Sequence, residues 1–120
     1  MSMVSATTHQ ITVQVETFYQ EDYSYPMSQH FMFAYRITIV NNSRDTVQLQ
    51  RRHWFIMDAF GQMREVEGEG VVGEQPVLAP GEQYRYISGC DLKTEMGKMY
   101  GTYLMENTDT GKLFHVIIPE

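Results

Sequence analysis

The most conspicuous chemical pattern in this chain is Gly68-Glu-Gly70-Val-Val-Gly73, a formal G-x-G-x-x-G. In a dinucleotide-binding fold such glycines close a strand-to-helix turn, and the helix N-terminus holds a pyrophosphate. Here Glu74-Gln75-Pro76 follows at once and Pro80 soon after, so no helix can begin on schedule. Glu67, Glu69 and Glu74 flank the loop and would repel phosphate. Gly68, Gly70 and Gly73 therefore read as a structural, strand-linking loop, and no cofactor is expected.

The carboxylates of Glu65, Glu67 and Glu69 offer hard oxygen ligands of the kind Mg²⁺ takes. They alternate along one strand face without a loop to wrap an ion, which fits weak cation binding better than a dedicated site. The histidines are His9, His30, His53 and His115, none at i, i+4 on a helix and none in C-x-x-C company. His53 and His115 fall opposite in parity to the apolar residues of their strands, as sheet-surface side chains do. Cys90 follows Ser88-Gly89 with no histidine beside it in sequence, and a small buried thiol closing a strand is the simpler reading. No catalytic residue is assigned, and the chain is read as a non-enzyme. The segment Phe18-Tyr19-Gln-Glu-Asp-Tyr23-Ser-Tyr25-Pro26-Met27 links two strands yet carries aromatic and thioether side chains that a solvated loop does not need. These residues either cap one end of the core or form an exposed anchor for another protein. Phe18, Tyr19, Tyr23 and Tyr25 are the candidate partner-binding set.

The elements that must position these groups have a period of two almost throughout. Ile11, Val13 and Val15 alternate with Thr12, Gln14 and Glu16. Phe31, Phe33, Tyr35, Ile37 and Ile39 share one face of a long strand that Asn41-Asn42-Ser43 closes. From Thr46 to Phe60 the parity breaks: Val47 and Leu49 share one phase, Trp54 and Ile56 the other. One extra residue near Arg51-Arg52 reconciles them, which predicts a β-bulge. Gly61-Gln62 turns into a short strand from Met63 to Glu67. Ala79-Pro80-Gly81-Glu82 has Pro and Gly at the central positions of a type II turn. Strands follow through Tyr84, Tyr86 and Ser88, from Gly97 to Glu106, and from Leu113 to Ile118, where Phe114, Val116 and Ile118 form the core face. Sustained 3.6-residue stripes are absent. About seven short strands with turn punctuation predict an all-β chain, a single antiparallel β-sandwich of immunoglobulin-like architecture. Residues 1–9 read as a mobile N-terminal arm and residues 10–120 as the sandwich domain.

Composition narrows the partners. The chain has 120 residues, with nine basic and fifteen acidic side chains giving a net charge of −6. Counterion release at a phosphate backbone wants a basic stripe, and the one adjacent basic pair is Arg51-Arg52, so nucleic acid is disfavoured. No apolar run approaches the roughly 20 residues of a membrane span. The start has neither the basic nor the apolar region of a signal peptide, and the lone cysteine fits a reducing compartment, so a cytoplasmic protein is expected.

Three blocks together, Arg52-His53-Trp54, Gly68-Glu-Gly-Val-Val-Gly-Glu-Gln-Pro-Val-Leu-Ala-Pro-Gly-Glu82, and Ser88-Gly89-Cys90 with Leu92, resemble the bacterial ApaG (CorD) family. The likeness runs from Thr12 to Pro119. It implies a β-sandwich of fibronectin type III or immunoglobulin type. It also implies an association with cobalt resistance and magnesium efflux, and a gene neighbourhood shared with a diadenosine tetraphosphate hydrolase. Related domains in a eukaryotic F-box protein and in a protein that interacts with DNA polymerase delta suggest a protein-binding module. The first expectation is thus a non-enzymatic sandwich binding an unidentified protein. The alternatives are a binder of divalent cation, polyphosphate or nucleotide, and a hydrolase of dinucleoside polyphosphates.

Overall fold

In the computed structural model, residues 2–20, 24, 25, 27, 31–92 and 97–119 are described. They form β1 (Ser2–Thr8), β2 (Ile11–Tyr19), β3 (Phe31–Asn41), β4 (Val47–Asp58), β5 (Met63–Glu69), β6 (Val77–Leu78), β7 (Gln83–Leu92), β8 (Gly97–Asn107) and β9 (Leu113–Ile118). One sheet runs β1-β2-β3-β7, the other β5-β4-β8-β9 with β6 also on β4. Every pairing between these strands is antiparallel. The antiparallel sandwich expected from the periodicity is the observed architecture. No helix of the described residues is long and apolar enough to cross a membrane.

The alternating residues bury the parity they were expected to bury. Ile11, Val13, Ile37 and Ile39 from one sheet meet Val47, Leu49, Trp54, Tyr103, Met105, Val116 and Ile118 from the other. Tyr35 packs its ring on Trp54 at 5.7 Å between centroids. The Tyr86 and Tyr103 hydroxyls bond each other in the middle of this layer, which lets two large phenols be buried without an orphaned O–H.

The parity break in β4 is a bulge. The register with β8 shifts between Leu49 and Arg51, so Gln50 is the extra residue, one position before the Arg51-Arg52 pair. The shift lets Val47 and Leu49 point inward on one side of it and Trp54 and Ile56 on the other. The Pro80-Gly81 turn also forms: Gly81 has φ 84°, and Glu82 N–H donates to Ala79 O at 3.0 Å.

The N-terminal arm is a correction. Residues 2–8, expected to be mobile, are an edge strand paired with β2 from Ser2↔Thr17 to Thr8↔Ile11. Thr8 Oγ1 also accepts from Ile117 N–H of the opposite sheet at 3.2 Å. The ladder to β2 satisfies backbone groups that an arm would leave to water. His9 (φ 50°) and Gln10 (φ 66°) form the two-residue turn between β1 and β2, and the His9 ring sits edge-on to Phe114 at 5.6 Å.

Candidate functional site

The aromatic candidates lie at the end of the sandwich where β2 leads to β3. Phe18 and Tyr19 are the last residues of β2 rather than part of the loop, so successive side chains leave opposite faces of the sheet. Phe18 lies on the outer face, under the Arg36 guanidinium at 5.8 Å. That guanidinium is held by Glu16 through a bidentate pair at 3.0 and 2.7 Å. The hydrogen bonds from Arg36 hold the Glu16 carboxyl below its ordinary value. Tyr19 leans on Phe33 at 5.2 Å, beyond the packed core. It remains 43% exposed, Tyr25 63% and Met27 100%. Ser24 ties the connection down, its Oγ donating to Gln20 O at 2.7 Å and accepting from Met32 N–H at 2.9 Å. Tyr23 and His30 lie outside the described residues.

The Gly-rich segment is built into the wall of the sandwich. Gly68 lies within β5, opposite Arg52. Gly70 N–H donates to Gln50 O at 2.9 Å, the carbonyl of the bulge residue. Arg52 points inward and donates to Glu69 O at 3.0 Å and to Gly70 O at 2.9 Å. Val71 and Glu74 exchange both backbone bonds, at 2.8 and 2.9 Å. Val72 (φ 42°) and Gly73 (φ 81°) make the tight turn between them. Val71 plugs the core at 1% exposure. A Cβ on Gly70, whose φ is +63°, would fall 2.1 Å from Glu74 O. The amide and carbonyl of Gly70 are thus committed to the bulge and to Arg52, and no helix follows to aim amides at a phosphate.

On the outer face of the second sheet, register joins residues far apart in sequence. His53 of β4 stands opposite Glu67 of β5. Its Nε2 lies 3.1 Å from Glu65 Oε2 and 3.7 Å from Glu67 Oε2. One ligand atom from each of these three residues falls within 4.8 Å of the others. Glu69 departs from the expected trio, its carboxylate facing Arg51 at 4.0 Å. Arg51 also approaches Glu67 at 3.7 Å, placing a competing cation beside the cluster. Sequence reasoning had the glutamates but missed His53 as their partner. His115 lies across the sheet, with His53, Arg51 and Glu67 lining the same shallow depression.

Cys90 is buried, and its Sγ lies 3.4 Å from Met99 Sδ. Burial pushes its thiol up to about 11, so the thiolate a nucleophile needs is scarce at neutral pH. At the far end of the sandwich from the aromatic residues, a cleft of about 530 Å³ is lined by His9, Asp45, Lys112 and His115, among others.

These features can be set beside known proteins. A family model described as the ApaG domain matches residues 21–107. The chain is 55% identical over 117 residues to Protein ApaG of Paramagnetospirillum magneticum, covering 98% of this chain and 89% of that protein. It is 53% identical, with the same coverage, to Protein ApaG of Afipia carboxidovorans. Among solved structures, the putative ApaA protein of Bordetella pertussis superposes with a TM-score of 0.89 at 42% identity, over 94% of this chain and 91% of that one. A β-glucuronidase of Bacteroides uniformis matches at 14% identity and a TM-score of 0.51, over 86% of this chain and 12% of the enzyme, and shows shared fold alone. The blocks around Arg52, Gly68 and Cys90, the bulged sandwich they build, and full-length similarity to ApaG proteins coincide: the chain belongs to the ApaG domain family.

Proposed function

We propose that this domain is a non-enzymatic module that binds another protein through the exposed Tyr19, Tyr25 and Met27 at the end where β2 leads to β3, with Phe18 on the other side of the sheet. The observation that carries the reading is the exposure of Tyr19 at the end of β2 and of Tyr25 and Met27 beyond it, beside Ser24, which bonds Gln20 O and Met32 N–H. Tyrosine and methionine are enriched in interface cores. The test is a photo-crosslinking residue placed at position 25, with position 113 on the opposite sheet as control. Leu113 is 55% exposed, so both probes are accessible. A discrete protein adduct from position 25 and none from position 113 is the expected result; equal or absent labelling at both sites defeats the reading.

The His53–Glu65–Glu67 cluster favours a second reading, a divalent-cation site. One imidazole and two carboxylates suit cobalt or zinc better than magnesium, which prefers an all-oxygen octahedron. The cobalt and magnesium associations implied by the family likeness give this reading its cations. Co²⁺ or Zn²⁺ should shift the His53 ring resonances saturably, and the Glu65→Gln/Glu67→Gln variant should remove the shift. An unperturbed ring at about 1 mM metal, a Kd weaker than roughly −4 kcal/mol of binding, rules the site out.

A further inference from the structure

The strand that ends the first sheet, β7, pairs with β3 alone among the described strands. In the pairing with β3, Asn41 N–H bonds Glu82 O at 3.0 Å, which fixes the phase of the ladder. Alternate β7 residues then turn their backbone groups toward β3, and Gln83, Arg85, Ile87, Gly89 and Asp91 turn theirs outward. The Asp91 carbonyl agrees with this phase, since it accepts from Arg64 Nη2 at 2.9 Å across the side of the sandwich. The same five residues are exposed, and Ile87 is 66% exposed. Among the described residues no strand covers this edge, and an unpaired edge is the template on which a further strand adds.

The sequence of that edge is self-complementary about Ser88. A second copy running antiparallel, with Ser88 opposite its symmetry mate, sets Arg85 opposite the second copy's Asp91 and Ile87 opposite its Gly89, and each pair occurs twice. The pairs all fall on outward-facing positions, so each exchanges two backbone bonds, up to about eight in all, the two at Asp91 O sharing that carbonyl with Arg64 Nη2. Charge meets charge at both ends. At the centre, a half-bare isoleucine covers a residue that has no Cβ to oppose it. A two-residue shift of register, placing Ile87 on its own mate, would instead set Arg85 opposite glycine and leave Asp91 facing Gln83. From this register we infer that β7 is a homotypic edge: two copies of the chain pair through residues 85–91 and merge their four-stranded sheets into one continuous sheet.

The chain itself moderates the contact. Arg64 lies 3.5 Å from the Asp91 carboxylate and shares that group with the incoming arginine. Arg85 Nε donates to Thr38 Oγ1 of β3 at 3.0 Å, so its fork lies back over the sheet and must swing outward to meet the incoming Asp91. With one strand pair and little apolar area, the contact belongs to the small, weak interface class, so the dimer should populate from roughly 10–100 μM upward.

Sedimentation equilibrium of the full chain between about 1 μM and 1 mM tests the inference. A reversible monomer–dimer equilibrium is expected. Ile87→Pro removes an outward N–H while leaving the β3 ladder intact, because proline is tolerated where the amide faces away from the sheet. That variant should be monomeric with unchanged circular dichroism. Asp91→Arg should weaken the dimer by opposing two arginines, and Arg85→Asp/Asp91→Arg, which restores opposite charges in the 85/91 register, should recover it. Should the Asp91 variants not fold, Ile87→Pro alone decides the matter. A wild-type chain monomeric at 1 mM, or a dimer that survives Ile87→Pro, overturns the proposal.

Discussion

Asn41 offers the sharpest test of how the sandwich is closed. It ends β3 with its side chain fully buried. Its Nδ2 donates to Asp45 O at 2.8 Å and Leu78 O at 2.9 Å. Its Oδ1 accepts from Ser43 N–H at 2.9 Å and Ser43 Oγ at 2.6 Å. One amide thus satisfies the β3–β4 turn and the carbonyl of β6, while its main chain engages Glu82 and Gly81. Asn41→Ala leaves the buried Leu78 carbonyl with only its partner in the β4–β6 ladder, and partly strands the Asp45 carbonyl and the Ser43 amide. A buried unsatisfied group costs about 1–3 kcal/mol. Partial costs at these three groups give a loss of roughly 2–4 kcal/mol. The assay is urea unfolding followed by tryptophan fluorescence, since Trp54 lies in the same core. The midpoint should drop with an unchanged slope. Asn41→Asp should be worse near neutral pH, because it turns lone pairs toward two carbonyls in a buried site. A loss below about 1 kcal/mol for Asn41→Ala would refute this reasoning, since an ordinary surface turn costs no more than that.

Gly70→Ala should destabilise by several kcal/mol, combining left-handed strain of about 1–3 kcal/mol with the collision at Glu74 O. Thermal melts check this, and Gly73→Ala, with nothing within 4 Å of its Cβ, should cost less. Tyr35, Tyr86 and Tyr103 have hydroxyls raised above their ordinary value chiefly by burial. Their neutral forms persist in the fold while the unfolded chain ionises, so the stability they confer is fully present below pH about 10 and falls as pH rises further. Absorbance near 295 nm should then show these tyrosines ionising only with unfolding; early titration of all tyrosines in the native state counts against their burial. The carboxyl of Glu16 has the opposite sign: its folded value is lowered, so its contribution holds above the ordinary carboxylate range and is lost as pH falls through the folded value. Glu16→Gln should flatten that acid limb of the stability profile.

What the sequence made legible was local. The alternation Ile11-Val13-Val15, the Pro80-Gly81 turn and the phase change between Leu49 and Trp54 each follow from the two-residue repeat of a strand, which any window of the chain displays. Strand β1 was hidden because Met3, Val4, Ser5 and Thr7 are exposed, so no apolar-polar alternation marks it. Its place depends on the ladder to β2, a tertiary fact. Strand β6 is too short, at two residues, to show a period. The same distinction governs the sites. Glu65 and Glu67 were visible as a run, but His53 joins them only through the β4–β5 register, which sets Glu69 opposite Arg51 instead. Phe18 and Tyr19 looked like one patch in sequence, whereas as consecutive strand residues they leave the sheet on opposite sides.

The protein-binding claim is tested most directly by Tyr25→Ala and Tyr19→Ala, with melting temperature measured beside affinity for the protein that position 25 crosslinks. Exposed anchors should weaken binding by about 2 kcal/mol or more, roughly thirtyfold, with the melting temperature of Tyr25→Ala unchanged. Tyr19→Ala should cost some stability as well, through its contact with Phe33. Full affinity in both variants, with any loss confined to stability, would show that these side chains only cap the sandwich, and it would contradict the interaction surface.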